Sequence, residues 1–362
     1  MTMLVILTVL WLMGWAVLGR IKPCRFPQPT DLKPPQKISV IIPARNEERN
    51  LPHLLLSLQR QLVPPDEIIV VDDASTDNTA TVATKYGAAV LSPPALPEGW
   101  RGKTWACHHG AAQAKGDWLL FLDADTWLEA EGLAAMRAEF IAVGGGALSV
   151  APLHRVHLFH EQFSVFFNLI MLAGTGAFTA LGDRLPPRGL LGQCLLIEVA
   201  AYQKVGGHAA VKGRILENFW LAEKLRALNV PLHCRGGKNT LTFRMYPNGW
   251  GELMAGWIKG FAAGAGQTPL PILLLIIGWL SGLIMAAGQL ITHPNPPICL
   301  VVYTLCVLQV SWLMRRVGTF HWATAILFPV PLIFYFAIFA RSLWRIVRKQ
   351  PVAWKGRSIH GG

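Results

Sequence analysis

The hydrophobic positions follow two patterns along the chain. Long apolar runs occupy residues 3–18, about 270–292, 297–314 and 320–340. Each run is close to the ~20 residues that a helix needs to cross a bilayer. The runs therefore predict transmembrane helices, and residues 36 to about 262 remain for one globular domain whose length suits a large α/β unit.

Within the globular region, short apolar stretches alternate with a helical pattern. A continuous apolar run of this length is typical of a strand that is buried on both faces of a parallel sheet. The first stretch is followed by Leu51, Leu54, Leu55 and Leu58, which share one face of a helix. The alternation predicts a doubly wound, mostly parallel α/β fold, and its first three strands are Lys37–Pro43, Glu67–Val71 and Asp117–Leu122.

Acidic residues follow all three predicted strands. Ligands of doubly wound folds bind at the carboxyl ends of the strands, and a carboxylate cluster there repels itself unless a cation or sugar hydroxyls occupy it. We therefore expect a metal or nucleotide site at this edge. Asp123 and Asp125 can give a divalent cation one or two oxygens while a diphosphate supplies the rest. A helix cap is the alternative role for one of them.

The composition agrees with a membrane protein. The chain of 362 residues is 52% hydrophobic and 15% charged, its mean hydropathy is +0.37, and 14 Trp and 16 Phe argue against intrinsic disorder. The net charge of +12 could suggest nucleic acid, but six of the basic residues lie in an acid-free tail behind the last apolar run. Such a tail is typical of a membrane flank, so we expect no nucleic-acid partner. The six cysteines lack CxxC spacing, so neither disulfides nor zinc are expected.

The patterns divide the chain into segments with different expected surroundings. Apolar helical faces at 158–180 and 250–261 predict interfacial helices within the globular domain, and burial in the core is the alternative for them. The expected segments are an N-terminal transmembrane anchor (1–20), a linker (21–35), the cytosolic globular domain (36–262), C-terminal membrane segments (263–340) and a basic cytosolic tail (341–362).

Basic residues set the expected orientation in the membrane. The basic stretch 20–25 follows the first apolar run, so the positive-inside rule places the globular domain in the cytoplasm of a multi-pass cell-membrane protein. A cleaved signal peptide is the rival interpretation of the first run. Arg315 and Arg316 also predict a cytosolic loop after the second C-terminal run. If the third run then crossed the bilayer fully, the basic tail would lie outside. We expect 320–340, which two prolines interrupt, to be the segment that does not cross fully.

Three segments of the globular region resemble a known family when they are taken in order. Ile38–Glu47, Val70–Thr79 and Phe121–Asp125 are similar to the nucleotide-binding domain of family 2 glycosyltransferases. The resemblance implies a GT-A type domain, which here is accompanied by transmembrane helices. Further motifs resemble the membrane-bound branch that glycosylates carotenoid acids, and hopanoid and ceramide glycosyltransferases are more distant relatives. These motifs are Gly99–Lys103, Gly192–Gln193, Gly206–His208, Arg244–Tyr246, Gly256–Lys259 and Trp354–Arg357.

The resemblance implies a nucleotide pocket at the ends of the first two strands. Pro43, Arg45 and Glu47 would line this pocket. Asp73 would hydrogen-bond the uracil ring, so the expected donor is a UDP-hexose.

The resemblance also implies a diphosphate and metal site. Lys103 would face the diphosphate, Asp123 would contact ribose or metal, and Asp125 would be the main ligand of Mg²⁺ or Mn²⁺. A leaving nucleoside diphosphate gathers negative charge, which a divalent cation and a lysine stabilise. The branch motifs further imply an acceptor side made of Gln193, Arg244, Trp257, Lys259, Trp354, Lys355 and Arg357.

The expected catalytic position departs from the family pattern. Relatives start a helix with a Glu-Asp pair whose carboxylate removes the proton of the acceptor, whereas this chain has Glu217 followed by Asn218. An amide cannot accept that proton near neutral pH. Either Glu217 is the base, or the acceptor is already ionised, or the protein has lost its activity. The alternative for Glu217 and Asn218 is a helix cap without a catalytic role.

The sequence thus predicts an enzyme of the membrane. The expected reaction is the inverting transfer of a hexose from a nucleotide sugar to a lipid acceptor within the bilayer, first of all a carotenoid acid. The alternatives are transfer to a hopanoid, sphingoid or polyprenyl lipid, and a non-catalytic membrane scaffold in which Asn218 marks the lost activity.

Overall fold

The computed structural model describes most of the chain, namely residues 2–28, 36–214, 216–292, 295–348, 352–354 and 357–359. The helices are α1 (Thr2–Leu18), α2 (Leu51–Gln59), α3 (Thr79–Lys85), α4 (Gly102–Gln113), α5 (Gly132–Ala142), α6 (Val165–Gly174), α7 (Val199–Lys204), α8 (Glu217–Ala227), α9 (Trp250–Gln267), α10 (Leu270–Thr292), α11 (Pro296–Val317), α12 (Trp322–Ile326) and α13 (Pro329–Val347). The strands are β1 (Ile38–Ala44), β2 (Glu67–Asp72), β3 (Ala89–Leu91), β4 (Trp118–Leu122), β5 (Thr126–Leu128), β6 (Ala147–Ala151), β7 (Leu153–His154), β8 (Cys194–Glu198), β9 (Leu232–Gly236), β10 (Leu241–Phe243), β11 (Val352–Trp354) and β12 (Arg357–Ile359).

The chain forms two compact units. The first, called here the sheet unit, contains Lys22–Leu153 and Pro186–Arg244. The second, the helical unit, contains Met1–Ile21, His154–Leu185 and Met245–Gly362. The anchor, linker, domain and tail boundaries that the sequence suggests stay predictions.

A seven-stranded sheet forms the centre of the sheet unit. Its strand order is β3-β2-β1-β4-β8-β6-β9. The first four of these strands are mutually parallel, β9 is parallel to β6, and only β8 runs antiparallel to its neighbours. The predicted doubly wound, mostly parallel sheet is therefore confirmed, with one reversed strand that the sequence pattern did not indicate.

The apolar stretches form central strands because both faces of these strands are buried, so that every side chain along them can be apolar. Ile38, Val40, Ile41 and Ile42 of β1 have no exposed area, and every residue of β4 is buried. The leucine face of α2 belongs to the same core cluster as these strands. The apolar pattern of the sequence thus translates directly into the core of the sheet unit.

Parallel pairing brings the polar ends of the first strands to one edge of the sheet. Ala44 pairs with Asp72 in the β1–β2 register, and the N–H of Asp73 donates to the carbonyl of Ala44 at 2.8 Å. The loops after these strands then bond to each other, since the N–H of Asn46 donates to Ser75 Oγ at 2.9 Å and that of Glu47 donates to Thr79 Oγ1 at 2.8 Å. These bonds hold the two loops as one rim.

Three long apolar segments of the helical unit pack together. Gln309 in α11 accepts a hydrogen bond from Trp279 Nε1 of α10 at 2.9 Å and donates its amide to the carbonyl of Trp11 in α1 at 2.9 Å. Gly278 and Gly282 of α10 lie against side chains of α1. Among the described residues, α10 and α11 are long and apolar enough to cross a membrane, whereas α1 is a shorter apolar helix.

The predicted run 320–340 is divided in the structure. It contains α12 and the first part of α13, and α13 begins at Pro329. That this run does not cross the bilayer fully stays a prediction.

The two apolar faces predicted as interfacial helices are only partly packed inside the helical unit, since Phe159 and Trp250 remain exposed. Trp257 of α9 is 6% exposed, stacks on Phe167 of α6 at a ring distance of 4.6 Å, and donates Nε1 to Ser164 Oγ at 3.2 Å. These contacts match the core alternative for this face. A position of these helices at the bilayer surface stays a prediction.

Candidate functional site

Four segments of the sheet unit meet at the end of β4. They are the start of α4 with Lys103, the turn after β4 with Asp123, the loop before β8 with Gly192, and the start of α8 with Glu217. Since β8 runs antiparallel to β4, the residue before β8 adjoins the residue after β4, and the N–H of Asp123 donates to the carbonyl of Gln193 at 3.0 Å. The reversed strand therefore delivers the Gly192–Gln193 motif to the acidic edge.

Lys103 lies at the centre of this cluster. Its Nζ is 2.5 Å from Asp123 Oδ1 and 3.6 Å from Glu217 Oε1, and it donates to the carbonyl of Gly192 at 2.9 Å. Burial alone would lower the pKa of Lys103, but the negative charges of Asp123 and Glu217 outweigh this effect and raise that pKa above its ordinary value. The site thus contains a permanent cation between two carboxylates.

Asn218 fixes the second carboxylate. Its Nδ2 donates to Glu217 Oε1 at 3.0 Å, and its side chain is 5% exposed. A Cβ atom at Gly192 would lie 2.8 Å from this Nδ2, so the backbone approaches the amide as closely as glycine permits. Asn218 and Lys103 therefore both contact Glu217 at Oε1.

The residues of the predicted nucleotide pocket lie together at the ends of β1 and β2. Arg45 Nη1 donates to the carbonyl of Asp73 at 2.6 Å, which joins the two strand ends. Asp73 is 8% exposed, Pro43 pairs with Val71 in the sheet, and Glu47 accepts a bond from Asn50 at 2.8 Å. The structure brings these four predicted residues to one rim; their contacts with a nucleotide stay predictions.

Asp125 lies two residues beyond Asp123 and is half-buried. The turn between β4 and β5 is closed by Thr126, whose N–H and hydroxyl both donate to the carbonyl of Asp123, at 3.2 and 2.8 Å. Within the described part of the chain, no group of three or more His, Cys, Asp or Glu residues is arranged to hold a metal ion. Asp123 and Asp125 are the two carboxylates of this turn, and their binding of a cation stays a prediction.

The predicted acceptor residues belong to different units. Gln193 and Arg244 lie in the sheet unit, whereas Trp257 lies in the helical unit. Trp354 of β11 pairs with Arg357 of β12 along the backbone. Lys355 and the side chain of Lys259 lie outside the described residues, and the grouping of these residues around an acceptor stays a prediction.

His208 is a residue of the site region whose role the sequence did not reveal. It is 2% exposed, its Nδ1 is 2.8 Å from Tyr202 Oη, and its ring lies edge-on to Phe121. Burial, and to a lesser degree the charge of Lys103, lowers the pKa of His208 to about 3. A neutral imidazole therefore packs in the core between Tyr202 and Phe121. Its presence in the Gly206–His208 motif was the only signal in the sequence.

A mostly parallel sheet with a lysine and two carboxylates at its carboxyl edge agrees with a GT-A type domain. The family model of glycosyl transferase family 2 matches residues 39–155. The 4,4'-diaponeurosporenoate glycosyltransferase of Staphylococcus aureus (strain MRSA252) is 35% identical over 337 residues, which cover 88% of this chain and 87% of the relative. The protein of the same name from strain USA300 is 34% identical over 328 residues, again with 88% and 87% coverage.

The chain therefore belongs to glycosyl transferase family 2, in the branch of the 4,4'-diaponeurosporenoate glycosyltransferases, and it is a glycosyltransferase. The fold agrees with this assignment. A mannosyltransferase, PcManGT from Pyrobaculum calidifontis, solved in complex with GDP-Man and Mn²⁺, superposes with a TM-score of 0.55 at 17% identity and with 94% coverage of both chains.

Proposed function

We propose that the protein transfers a hexose, with inversion, from a nucleotide sugar to a carotenoid acid held in the membrane. The observation that carries this proposal is the 35% identity across 88% of the chain to a relative named for a carotenoid acid, 4,4'-diaponeurosporenoate. Identity over this length includes both the sheet unit and the helical unit. The name of this relative therefore supports a carotenoid-acid acceptor through a match that is not confined to the sheet unit.

The donor is proposed to be a UDP-hexose. Arg45, Glu47 and Asp73 lie on one rim at the ends of β1 and β2, as a nucleotide pocket requires. Lys103 supplies a permanent positive charge at the end of β4 for the diphosphate. This arrangement supports departure of a nucleoside diphosphate as the leaving group.

A divalent cation, Mg²⁺ or Mn²⁺, is proposed to bind at Asp125 and Asp123. When bound, it neutralises part of the negative charge on the leaving diphosphate. The two carboxylates on one turn fit the number of protein ligands that such a cation takes beside a nucleotide. PcManGT, which has the same fold, was solved with Mn²⁺.

The acceptor is proposed to attack as a carboxylate. Its oxygen forms a bond to the anomeric carbon of the sugar while the bond from that carbon to the diphosphate oxygen breaks, and the diphosphate leaves with the electron pair. No proton has to be removed, which agrees with an amide at position 218. Glu217, held by Asn218 and Lys103, then orients groups at the site rather than acting as an obligatory base.

The protein is proposed to be a multi-pass protein of the cell membrane with a cytoplasmic sheet unit. Helices α10 and α11 are long and apolar enough to cross a bilayer. Gln309 bonds both α10 and α1, so α1 is proposed to remain with them as an anchor and not to be cleaved.

The proposal is tested with the full chain purified in lipid nanodiscs. UDP-glucose, UDP-galactose and UDP-N-acetylglucosamine are each supplied with a polyene carboxylic acid or the corresponding alcohol, and products are identified by mass spectrometry. We expect a glycosyl ester of the acid, formed only in the presence of Mg²⁺ or Mn²⁺. Hopanoid, sphingoid and polyprenyl alcohols are supplied in parallel. Products formed only on alcohols would replace the acid by the alternative acceptor class, and the absence of any transfer would contradict the proposal.

A further inference from the structure

The loop before β8, residues 187–193, is bonded to the sheet in two places. The hydroxyl of Ser149 in β6 accepts a hydrogen bond from the N–H of Leu191 at 2.9 Å and donates to the carbonyl of the same residue at 3.0 Å. The carbonyl of Gln193 accepts a bond from the N–H of Asp123 at 3.0 Å. Because Ser149 and Leu191 are buried, the bonds between them are costly to lose. The loop is therefore fixed to β6 and to the turn after β4.

Helix α8 lies along this loop from its first turn to its last. A Cβ atom at Gly189 would overlap with the ring of Phe219, so this ring packs directly on the backbone of the loop. Near the other end of the helix, Arg226 Nη1 donates to the carbonyls of Pro187 and Arg188 at 3.2 and 3.3 Å. These two attachments are about two helical turns apart. They fix both the position and the direction of α8 on the loop.

The same loop contacts both partners of the charge pair in the site. The carbonyl of Gly192 accepts a hydrogen bond from Lys103 Nζ at 2.9 Å. A Cβ at Gly192 would lie 2.8 Å from Asn218 Nδ2, which donates to Glu217 Oε1 at 3.0 Å. Since Lys103 belongs to α4 and Glu217 to α8, the loop lies against both helices. The 3.6 Å between Lys103 Nζ and Glu217 Oε1 therefore depends on how α8 rests on the loop.

The contact between Gly189 and Phe219 controls this distance most directly. Phe219 follows Asn218 in the first turn of α8, so a displacement of its ring moves the backbone that carries Glu217. Protein interiors are close-packed, and an added methyl group is accommodated by shifts of the surrounding backbone. A hydrogen bond of 3.0 Å, such as that from Asn218 to Glu217, weakens as soon as its atoms are moved apart.

We propose that Gly189 is a positioning residue that acts through Phe219 and sets the distance between Glu217 and Lys103. Gly189 does not touch the reacting groups. Its lack of a side chain lets Phe219 rest on the loop backbone, and the first turn of α8 then presents Glu217 to Lys103. This inference rests on the proposed function, because it assigns the element that positions residues of that site.

The test is a kinetic double-mutant cycle on the full chain in nanodiscs. It compares Gly189→Ala, Glu217→Gln and the double variant with wild type. Release of UDP from UDP-hexose gives kcat, and mass spectrometry identifies the product. If Gly189 acts through Glu217, the two changes remove the same interaction. Each single variant should then lower kcat about 3- to 10-fold, and the double variant should stay within about twofold of the slower single variant.

Two further variants separate positioning from general loss of stability. Phe219→Leu, added to Gly189→Ala, removes the overlap of the ring with the new methyl group and should recover most of kcat. Ser149→Ala releases the same loop without adding an overlap, and its loss of kcat should also fail to multiply with that of Glu217→Gln. This variant tests the proposal even when Gly189→Ala does not fold.

The matched control is Gly116→Ala. A Cβ at Gly116 would lie 2.7 Å from the backbone nitrogen of Ser39, at the end of β4 opposite to Asp123. Any loss in this variant should multiply with that of Glu217→Gln, because the two positions are independent. Losses that multiply for Gly189→Ala as well, or an unchanged kcat in that variant, would overturn the role of Gly189 and leave the proposed function intact. UDP release with alcohols or water, and no glycosyl ester of the acid, would overturn the proposed function, and the cycle would still test Gly189 on that reaction.

Discussion

At the scale of single residues, the site is organised by charge around Lys103. Two carboxylates and one backbone carbonyl lie within 3.6 Å of its Nζ. Asn218 adds an amide donor to Glu217 where the family pattern has a second acid. The side chain beside Glu217 is therefore an uncharged amide, which adds no negative charge to the site.

The first prediction concerns Glu217. With an acid acceptor, Glu217→Gln should reduce kcat much less than the ~10²- to 10⁴-fold loss that follows removal of a general base. The reason is that an ionised acceptor has no proton to lose. The variant is measured on one identified acid and on the corresponding alcohol; a loss within that range on the acid would show that Glu217 acts as a base after all.

The second prediction concerns Asp125. Asp125→Ala should abolish transfer and the metal-dependent part of UDP binding, because it removes one of the two carboxylates on the turn after β4. Asp183→Ala, a change to an acidic residue of the helical unit, is the control. Transfer and UDP binding are followed with and without EDTA. Unchanged turnover in Asp125→Ala, or wild-type turnover that resists EDTA, would remove the metal from the mechanism.

The third prediction concerns Gly192. Gly192→Ala should lower transfer modestly and no more than Glu217→Gln does, because its Cβ would lie 2.8 Å from Asn218 Nδ2 and displace the amide that positions Glu217. Gly251→Ala is the control, since a Cβ there meets nothing within 4 Å. Activity is compared with the melting temperature of each variant. Full activity of Gly192→Ala would show that the bond between Asn218 and Glu217 is dispensable.

At the scale of elements, α1 is tied into the helical unit by polar as well as apolar contacts. Gln309 is fully buried and bonds Trp279 and the carbonyl of Trp11. The glycines at 278 and 282 allow α10 to approach α1 closely. Such close packing suits an anchor that stays with the protein.

The fourth prediction tests this packing. Gln309→Leu should lower the free energy of unfolding by about 1 kcal/mol, because polar bonds between helices contribute roughly this amount in membranes. The control is Gln289→Leu on α10, where the side chain is half-buried. Thermal unfolding in detergent compares the two variants. An equal melting temperature for Gln309→Leu and wild type would show that the three-helix bond network does not stabilise the unit.

At the scale of the whole molecule, the sequence predicted the features that local pattern encodes. The first three strands and the buried face of α2 are where their apolar runs indicate. The antiparallel position of β8 was not predictable in this way, because strand direction depends on the path of residues 152–193 and leaves no local signal. Contacts between distant parts of the chain leave no local signal either. The sequence therefore did not indicate the bond from Lys103 to the carbonyl of Gly192, or the grouping of residues 154–185 with the helical unit.

The last prediction concerns topology, which follows from the distribution of basic residues rather than from packing. Asn295, in the loop between α10 and α11, should face the outside, and Arg348, after α13, should face the cytosol, because basic residues cluster after the last apolar run. Single Asn295→Cys and Arg348→Cys variants are exposed to an impermeant maleimide in intact cells. All six native cysteines are buried, so they should contribute little background labelling.

We expect labelling at 295 alone, with 348 reacting only after permeabilisation. Labelling of 348 in intact cells would mean that the run 320–340 crosses the bilayer fully and that the basic tail lies outside.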